Sequence, residues 1–152
     1  MYYCTSCKTI FSEYPNHDIN EFNNCIIAGC LGSVIHIDEN LIHIIMMLNE
    51  KGYSTRNSCA GHAHDKVPNI YIQFNSTLIA DKYDVNMAAV IRENFSDFFD
   101  LDELNPADMS YCTMRYTYRH EGGSAIDKQL ELLMVLEYLV RRVRRLDSLI
   151  TS

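Results

Sequence analysis

Apolar and polar positions recur along this chain with two periods, and together they predict an α+β fold. Asn69-Ile70-Tyr71-Ile72-Gln73-Phe74 alternates with period two, the pattern of a strand with one buried face. Residues 111–118 alternate the same way: Cys112, Met114, Tyr116 and Tyr118 face one side, Tyr111, Thr113, Arg115 and Thr117 the other. Ser33-Val34-Ile35-His36-Ile37 is short and β-branched and reads as a first strand of the main sheet, with 69–74 as its second. Tyr53 to Cys59 looks extended. Between these segments the period changes to that of a helix. Leu41, Ile42, Ile44, Ile45, Met46 and Leu48 lie at helical spacing, with Asp38 at the N-cap position and Gly52 where a C′ glycine ends a helix. Residues 81–95 predict a second helix that buries Val85, Ala88, Ala89 and Ile91. Asp97 to Glu103 is acidic with aromatics, and Asn105-Pro106 interrupts the pattern. After a turn at Glu121-Gly122-Gly123, Ser124 to Asp127 resembles a capping box. It opens a long last helix, apolar through Leu130, Leu133, Met134, Leu136, Val140 and Val143. That helix ends in Arg141, Arg142, Arg144 and Arg145, which complement its negative end.

The first thirty-odd residues follow neither period, and their signal is cysteine spacing. Cys4 and Cys7 form a C-x-x-C pair, Cys25 and Cys30 a C-x4-C pair, and residues 8–24 separate them. Two tight turns that each aim two sulfurs at one centre are what a tetrahedral Zn2+ ion needs. Lys8 follows the first pair, and Gly29 and Gly32 flank Cys30, which suits tight turns. The middle of the segment is polar and loop-like, with Pro15, Asn16, Asn20, Asn23 and Asn24. Alone it buries little, so the ion would supply its folding energy. Disulfides or plain buried thiols are the alternative. The division expected is a zinc-ribbon module over 1–34 and an α+β ligand-binding domain over 35–152.

Composition narrows the classes. In 152 residues, a hydrophobic content of 47% is enough for a core and excludes wholesale disorder. The chain opens without a basic or apolar leader, and its longest apolar run, Leu132 to Leu136, is too short to cross a membrane. A cytoplasmic protein with reduced thiols and no membrane partner is expected. A net charge of −7 argues against a general polyanion binder. Any nucleic-acid or nucleotide site would then be a local patch. The arginine cluster at 141–145 is either such a patch or a solvated helix end. Arg115, mid-strand among aromatics, is either an ion-pair partner or an anion ligand.

The second concentrated signal is Tyr53-Ser54-Thr55-Arg56-Asn57-Ser58-Cys59-Ala60-Gly61-His62. A strand that runs into small polar residues and turns at a glycine exposes amides and hydroxyls to a cleft, which suits a phosphate, carboxylate or nucleobase. Cys59 near His62 and His64 is alternatively a thiolate nucleophile with its base. His62, His64 and Asp65 are alternatively a second metal site, and a polar loop around one buried thiol is the plainest reading. The candidate ligand residues are Thr55, Asn57, Ser58, Cys59, Gly61, His62 and Arg115.

Leu48-Asn49-Glu50-Lys51-Gly52 and the ten residues that follow resemble the signature of the tRNA wybutosine-synthesising protein three family. Arg115 matches a strand arginine of that family, and the long last helix is similar. The likeness covers roughly residues 38–146 and departs at Ala60 and His62, where the family has serine and arginine. It implies S-adenosylmethionine-dependent methylation of a modified guanosine in tRNA. A second likeness, spanning nearly the whole chain, is to small uncharacterised proteins of Firmicutes and their phages. Gly32, Val34, Ile37-Asp38-Glu39, Gly52-Tyr53, Thr55, Cys59, Gly61 and His62 carry it. Two expectations follow. One is a zinc-containing protein that recognises a nucleotide-like small molecule or RNA at the 55–64 loop, as a phage protein sequestering a nucleotide signal would. The other is a methyltransferase-like enzyme. The abundance of apolar positions on the last helix also suggests a homo-oligomer.

Overall fold

The computed structural model describes residues 1–12, 24–32, 34–74, 86–102 and 112–150. The polar middle of the cysteine segment (Pro15 to Asn23), Ser33, the start of the 81–95 helix with Val85, Asn105-Pro106 and Tyr111 lie outside the described residues. In chain order the elements are β1 (Tyr2–Cys4), β2 (Ile10–Phe11), β3 (Val34–His36), a 3-10 turn (Glu39–Leu41), α1 (Ile42–Glu50), β4 (Thr55–Cys59), β5 (Asn69–Phe74), α2 (Met87–Phe95), β6 (Asp100–Asp102), β7 (Cys112–Thr117) and α3 (Ala125–Arg145). They build two antiparallel sheets, ordered β2-β1-β3 and β4-β5-β7-β6. The fold is α+β, with the four cysteines at the tip of the small sheet.

The period-two alternation of β5 becomes a partition of the large sheet. Ile70, Ile72 and Phe74 are buried and pair with Tyr116, Met114 and Cys112 of β7. They pack under Ile44, Ile45 and Leu48 of α1, Met87, Ile91 and Phe95 of α2, and Leu132, Val135, Leu136, Leu139 and Val143 of α3 in one cluster. Asn69, Tyr71 and Gln73 point to the other face, as do Thr113, Arg115 and Thr117. The helices therefore cover one face, and the polar positions share the opposite one.

Several expectations are corrected. The 33–37 strand is not in the main sheet; β3 pairs with β1, Tyr2 opposite His36 and Cys4 opposite Val34. The acidic stretch after Asp97 contains β6, a short edge strand paired with β7. Its Asp-Leu-Asp sequence carries little strand signal, and pairing alone makes it one. Helix α2 buries Met87, Ile91 and Phe95, while Ala88 and Ala89 are half-buried. Helix α3 turns its 132/135/136/139/143 stripe inward and leaves Ile126, Leu130, Leu133 and Met134 exposed at 73, 62, 46 and 45%. The sequence holds two apolar stripes on this helix, and contact with the sheet selects one.

The ends of α3 are fixed by specific bonds. Ser124 and Asp127 form a complete capping box. At the other end, Lys51 Nζ donates to the carbonyls of Val143, Arg144 and Leu146 at 2.7, 2.9 and 2.7 Å, so a lysine from the end of α1 caps α3. Gly52, at φ 96°, follows it. The arginine cluster is partly tied down: Arg142 pairs with Asp97 at 3.1 Å and lies over the Tyr138 ring, and Arg141 pairs with Glu137.

Tyr3 joins the two sheets. It is fully buried in the common core, and its hydroxyl has no hydrogen-bond partner among the described residues. Burial, then Glu50 and the nearby cysteines, push it up to about 12. A buried hydroxyl without a partner costs about 1–3 kcal/mol. Tyr3→Phe should therefore leave the midpoint of denaturant unfolding unchanged or raise it. Leu139→Asp, which places an unpaired charge in the core, should cost about 3 kcal/mol or more. Leu133→Asp should be nearly silent. Equal losses for the two aspartate variants would mean that α3 is turned differently.

Candidate metal centre and ligand face

The cysteine cluster is built from two tight turns. After β1 the chain turns through Thr5–Cys7, and Lys8 adopts φ 65°, its amide bonding back to the Cys4 carbonyl at 3.0 Å. The second turn is closed by Cys30 N–H to Ile27 O and Cys25 N–H to Gly32 O, each 3.0 Å. Gly32 is required by proximity: a Cβ there would lie 2.5 Å from Ser6 and 2.8 Å from the Cys4 sulfur. Cys4 Sγ lies 3.6 Å from Cys30 Sγ, and Cys7 Sγ 3.6 Å from Cys25 Sγ. A tetrahedron with metal–sulfur bonds near 2.3 Å has edges of about 3.8 Å, so the spacing fits one central ion and not a disulfide. All four cysteines are free thiols, with Cys4 buried. Backbone amides donate to three of the sulfurs: Cys7 N–H to Cys4, Ile27 N–H to Cys25 and Gly32 N–H to Cys30, at 3.4–3.5 Å. Such bonds stabilise thiolate charge. Hydrogen bonds from Thr9 lower the pKa of Cys7, while burial pushes that of its neighbour Cys25 up. These four residues can hold a metal ion.

The seven predicted ligand residues are divided by the sheet. Thr55 and Ser58 are buried and register with Phe74 and Ile72, on the helix-covered side. Thr55 Oγ1 accepts from the buried Asn49 side chain at 2.9 Å, which ties β4 to α1. The register of β4 shifts between Thr55 and Asn57, which returns Asn57 and Cys59 to the opposite face. Cys59 registers with Tyr71, Tyr71 with Arg115, and Arg115 with Asp100. This row crosses the polar face from edge to edge. Gly61, at φ 81°, turns the chain beyond β4; a Cβ there would lie 2.9 Å from Leu132 and 3.0 Å from the Asn69 carbonyl. The turn carries His62, whose Nε2 lies 3.8 Å from Cys59 Sγ.

Arg115 is an ion-pair partner. Its Nε donates to Asp102 at 3.0 Å and its Nη1 to Asn69 at 2.6 Å, and the guanidinium sits 4.8 Å from the Tyr71 ring centre. Its charge is thus neutralised within the sheet, and its planar group is fixed over an aromatic. Cys59 has His62 within reach, but its surroundings disfavour the thiolate. Burial raises its pKa, the carboxylates of Asp38 and Asp65 raise it further, and a Gly61 backbone hydrogen bond only partly opposes them. The metal reading of His62 with His64 and Asp65 is replaced by another grouping. His64 stacks on His62 at 5.5 Å and is 83% exposed, whereas His62 gathers with Cys59 and Asp38. Asp38, expected to cap the following helix, makes no cap bond; its Oδ2 accepts the Ala60 amide at 2.8 Å.

Sequence reasoning passed over Asp38, Asn69, Tyr71 and Asp102 as site residues. Tyr71 was readable, because an aromatic on the polar phase of an alternating strand stands on the uncovered side. A groove of about 500 Å³ between the end of β7 and the start of α3 is lined by Tyr118, His120, Gly123, Leu130, Glu131 and Met134, none of them a predicted ligand residue. No helix among the described residues is long and apolar enough to cross a membrane. No protein-family model, curated protein or solved structure matches the chain.

The cysteine geometry predicts one tightly held metal ion per chain. Elemental analysis after exhaustive dialysis should find it, and Cys4→Ser or Cys30→Ser should remove it and destabilise the small sheet. Metal below about half an equivalent in reconstituted protein would contradict the tetrahedral reading.

Proposed function

We propose that this protein is a zinc-stabilised recognition module that binds the base of a nucleotide or of single-stranded RNA against the polar sheet face. Four thiolates favour Zn2+ among the common cellular ions, and the closed set leaves that ion a structural role. The observation that carries the ligand reading is the Cys59–Tyr71–Arg115 row. Tyr71 stands on the face away from the helices, with the guanidinium held over its ring. Aromatic and guanidinium planes on an antiparallel sheet are how single-stranded bases are commonly stacked. Asn57, Asn69 and Gln73 supply side-chain donors and acceptors on the same face for base edges. The net charge of −7 and the internal pairing of Arg115 leave stacking and hydrogen bonding as the main attraction.

The test is binding of a panel of mononucleotides and short single-stranded RNA to the parent and to Tyr71→Ala. Loss of one stacked base should weaken binding by about 1–3 kcal/mol, roughly 5- to 150-fold. The affinity of the parent should fall only shallowly with salt, because few phosphates are neutralised. Parent-like binding by Tyr71→Ala moves the site off this face. Tight binding of S-adenosylmethionine with no nucleotide in the panel retained would instead favour methyl transfer.

A further inference from the structure

We propose that Asp38, Cys59 and His62 form a second metal site, of the open kind: three protein ligands and one position left for water or a ligand oxygen. The ligands come from three places in the fold, the junction after β3, the end of β4 and the loop beyond it. One donor atom of each lies within 4.8 Å of the others. The sulfur–nitrogen separation of 3.8 Å is close to the roughly 3.5 Å edge of a tetrahedron with zinc–sulfur and zinc–nitrogen bonds.

Gly61, two residues after Cys59, turns the chain at φ 81° and brings His62 to the thiol. Packing fixes the turn, since Leu132 and the Asn69 carbonyl leave no room for a side chain at Gly61. Asp38 is oriented by the Ala60 amide on one oxygen, the outer-shell bond that positions a ligating carboxylate. Asp38 and Asp65 surround the thiol with negative charge, which a cation would balance. A sulfur, nitrogen and oxygen donor set selects Zn2+ or another transition ion over Mg2+ or Ca2+. Three ligands plus an open position is the arrangement of zinc sites that bind or activate a fourth group. The site stands whether or not the sheet face binds a base.

The experiment starts from protein that carries its ribbon ion and adds zinc, followed by calorimetry and by mapping iodoacetamide alkylation of Cys59. The parent should take up a second, weaker equivalent, and that equivalent should slow alkylation of Cys59 at least tenfold. His62→Ala, a change at an exposed side chain, should lose both effects and keep the first equivalent. Asp38→Asn, which keeps an acceptor for the Ala60 amide, should weaken the second equivalent at least tenfold. The proposal is overturned by a parent that binds a single equivalent. It is equally overturned by a second equivalent that survives in both variants, or by zinc that leaves Cys59 alkylation unchanged.

Discussion

The pairing of β5 with β7 is the constraint on which everything else rests. Six consecutive pairs, from Asn69 opposite Thr117 to Phe74 opposite Cys112, hold the two strands in one register. That register sends Ile70, Ile72, Met114 and Tyr116 to the helices and Tyr71, Gln73, Thr113 and Arg115 to the other side. A slip of one residue in β7 would place Arg115 against the core and a methionine on the polar face, and a slip in β5 would do the same with Tyr71 and an isoleucine. The two outer strands only extend the partition: β4 adds Cys59 to the Tyr71 row, and β6 adds Asp100 and Asp102 beside Arg115. At strand spacings near 4.8 Å, Cys59 and Arg115 are about 10 Å apart, with Tyr71 between them.

The cysteine module is joined to this sheet by shared residues. The Met1 amine donates to the Ile37 carbonyl at 3.1 Å, and the Ile37 amide returns to Met1 at 2.7 Å. Tyr3, one residue before Cys4, is part of the common core. The next residue after Ile37 is Asp38, whose carboxylate holds the amide of Ala60 at the end of β4. The path from the thiolate cluster to the Cys59–His62 turn is therefore three short bonded steps. An ion held by the four cysteines would order the small sheet and with it β3, which leads directly into Asp38.

Much of this was legible because the alternation is clean. Residues 69–74 and 111–118 read as strands, the stretch from Leu41 to Leu48 as a helix ending before Gly52, and Ser124 to Asp127 as the capping box of α3. The structure has strands at Asn69–Phe74 and Cys112–Thr117 and a helix at Ile42–Glu50. The four-cysteine spacing pointed to a shared centre, and the sulfurs do cluster. Legibility failed where local pattern is ambiguous or absent. Helix α3 carries two apolar stripes, and only its contacts decide between Leu133 and Leu132. Asp-Leu-Asp of β6 becomes a strand because β7 has a free edge. Val34–His36 is as good a strand for one sheet as for the other, and its partner lies thirty or more residues earlier. The site was half legible for a related reason. The Thr55–His62 run is one stretch of sequence, but alternation turns Ser58 away from Cys59, and the register shift between Thr55 and Asn57 turns Thr55 away as well. Asp38 looked like a cap, because a short polar residue before a helix has that meaning by default.

The distribution of positive charge gives the site its character. Lys51 is committed to three carbonyls at the end of α3, Arg115 to Asp102 and Asn69, Arg142 to Asp97 and Arg141 to Glu137. In a chain of net charge −7, these cations hold elements together and are poorly placed to attract phosphates. If the polar face binds a base as proposed, its attraction would come from the Tyr71–Arg115 stack and from amide side chains, through the plane and the edges of the base. A metal ion at Asp38, Cys59 and His62 would change that balance. It would be the largest local positive charge at the β4 edge of the face, and it would sit one strand from Tyr71. A base stacked on Tyr71 and an anionic oxygen on the ion would be two separable contacts of one ligand. The first depends on the β5–β7 register, the second on the Gly61 turn.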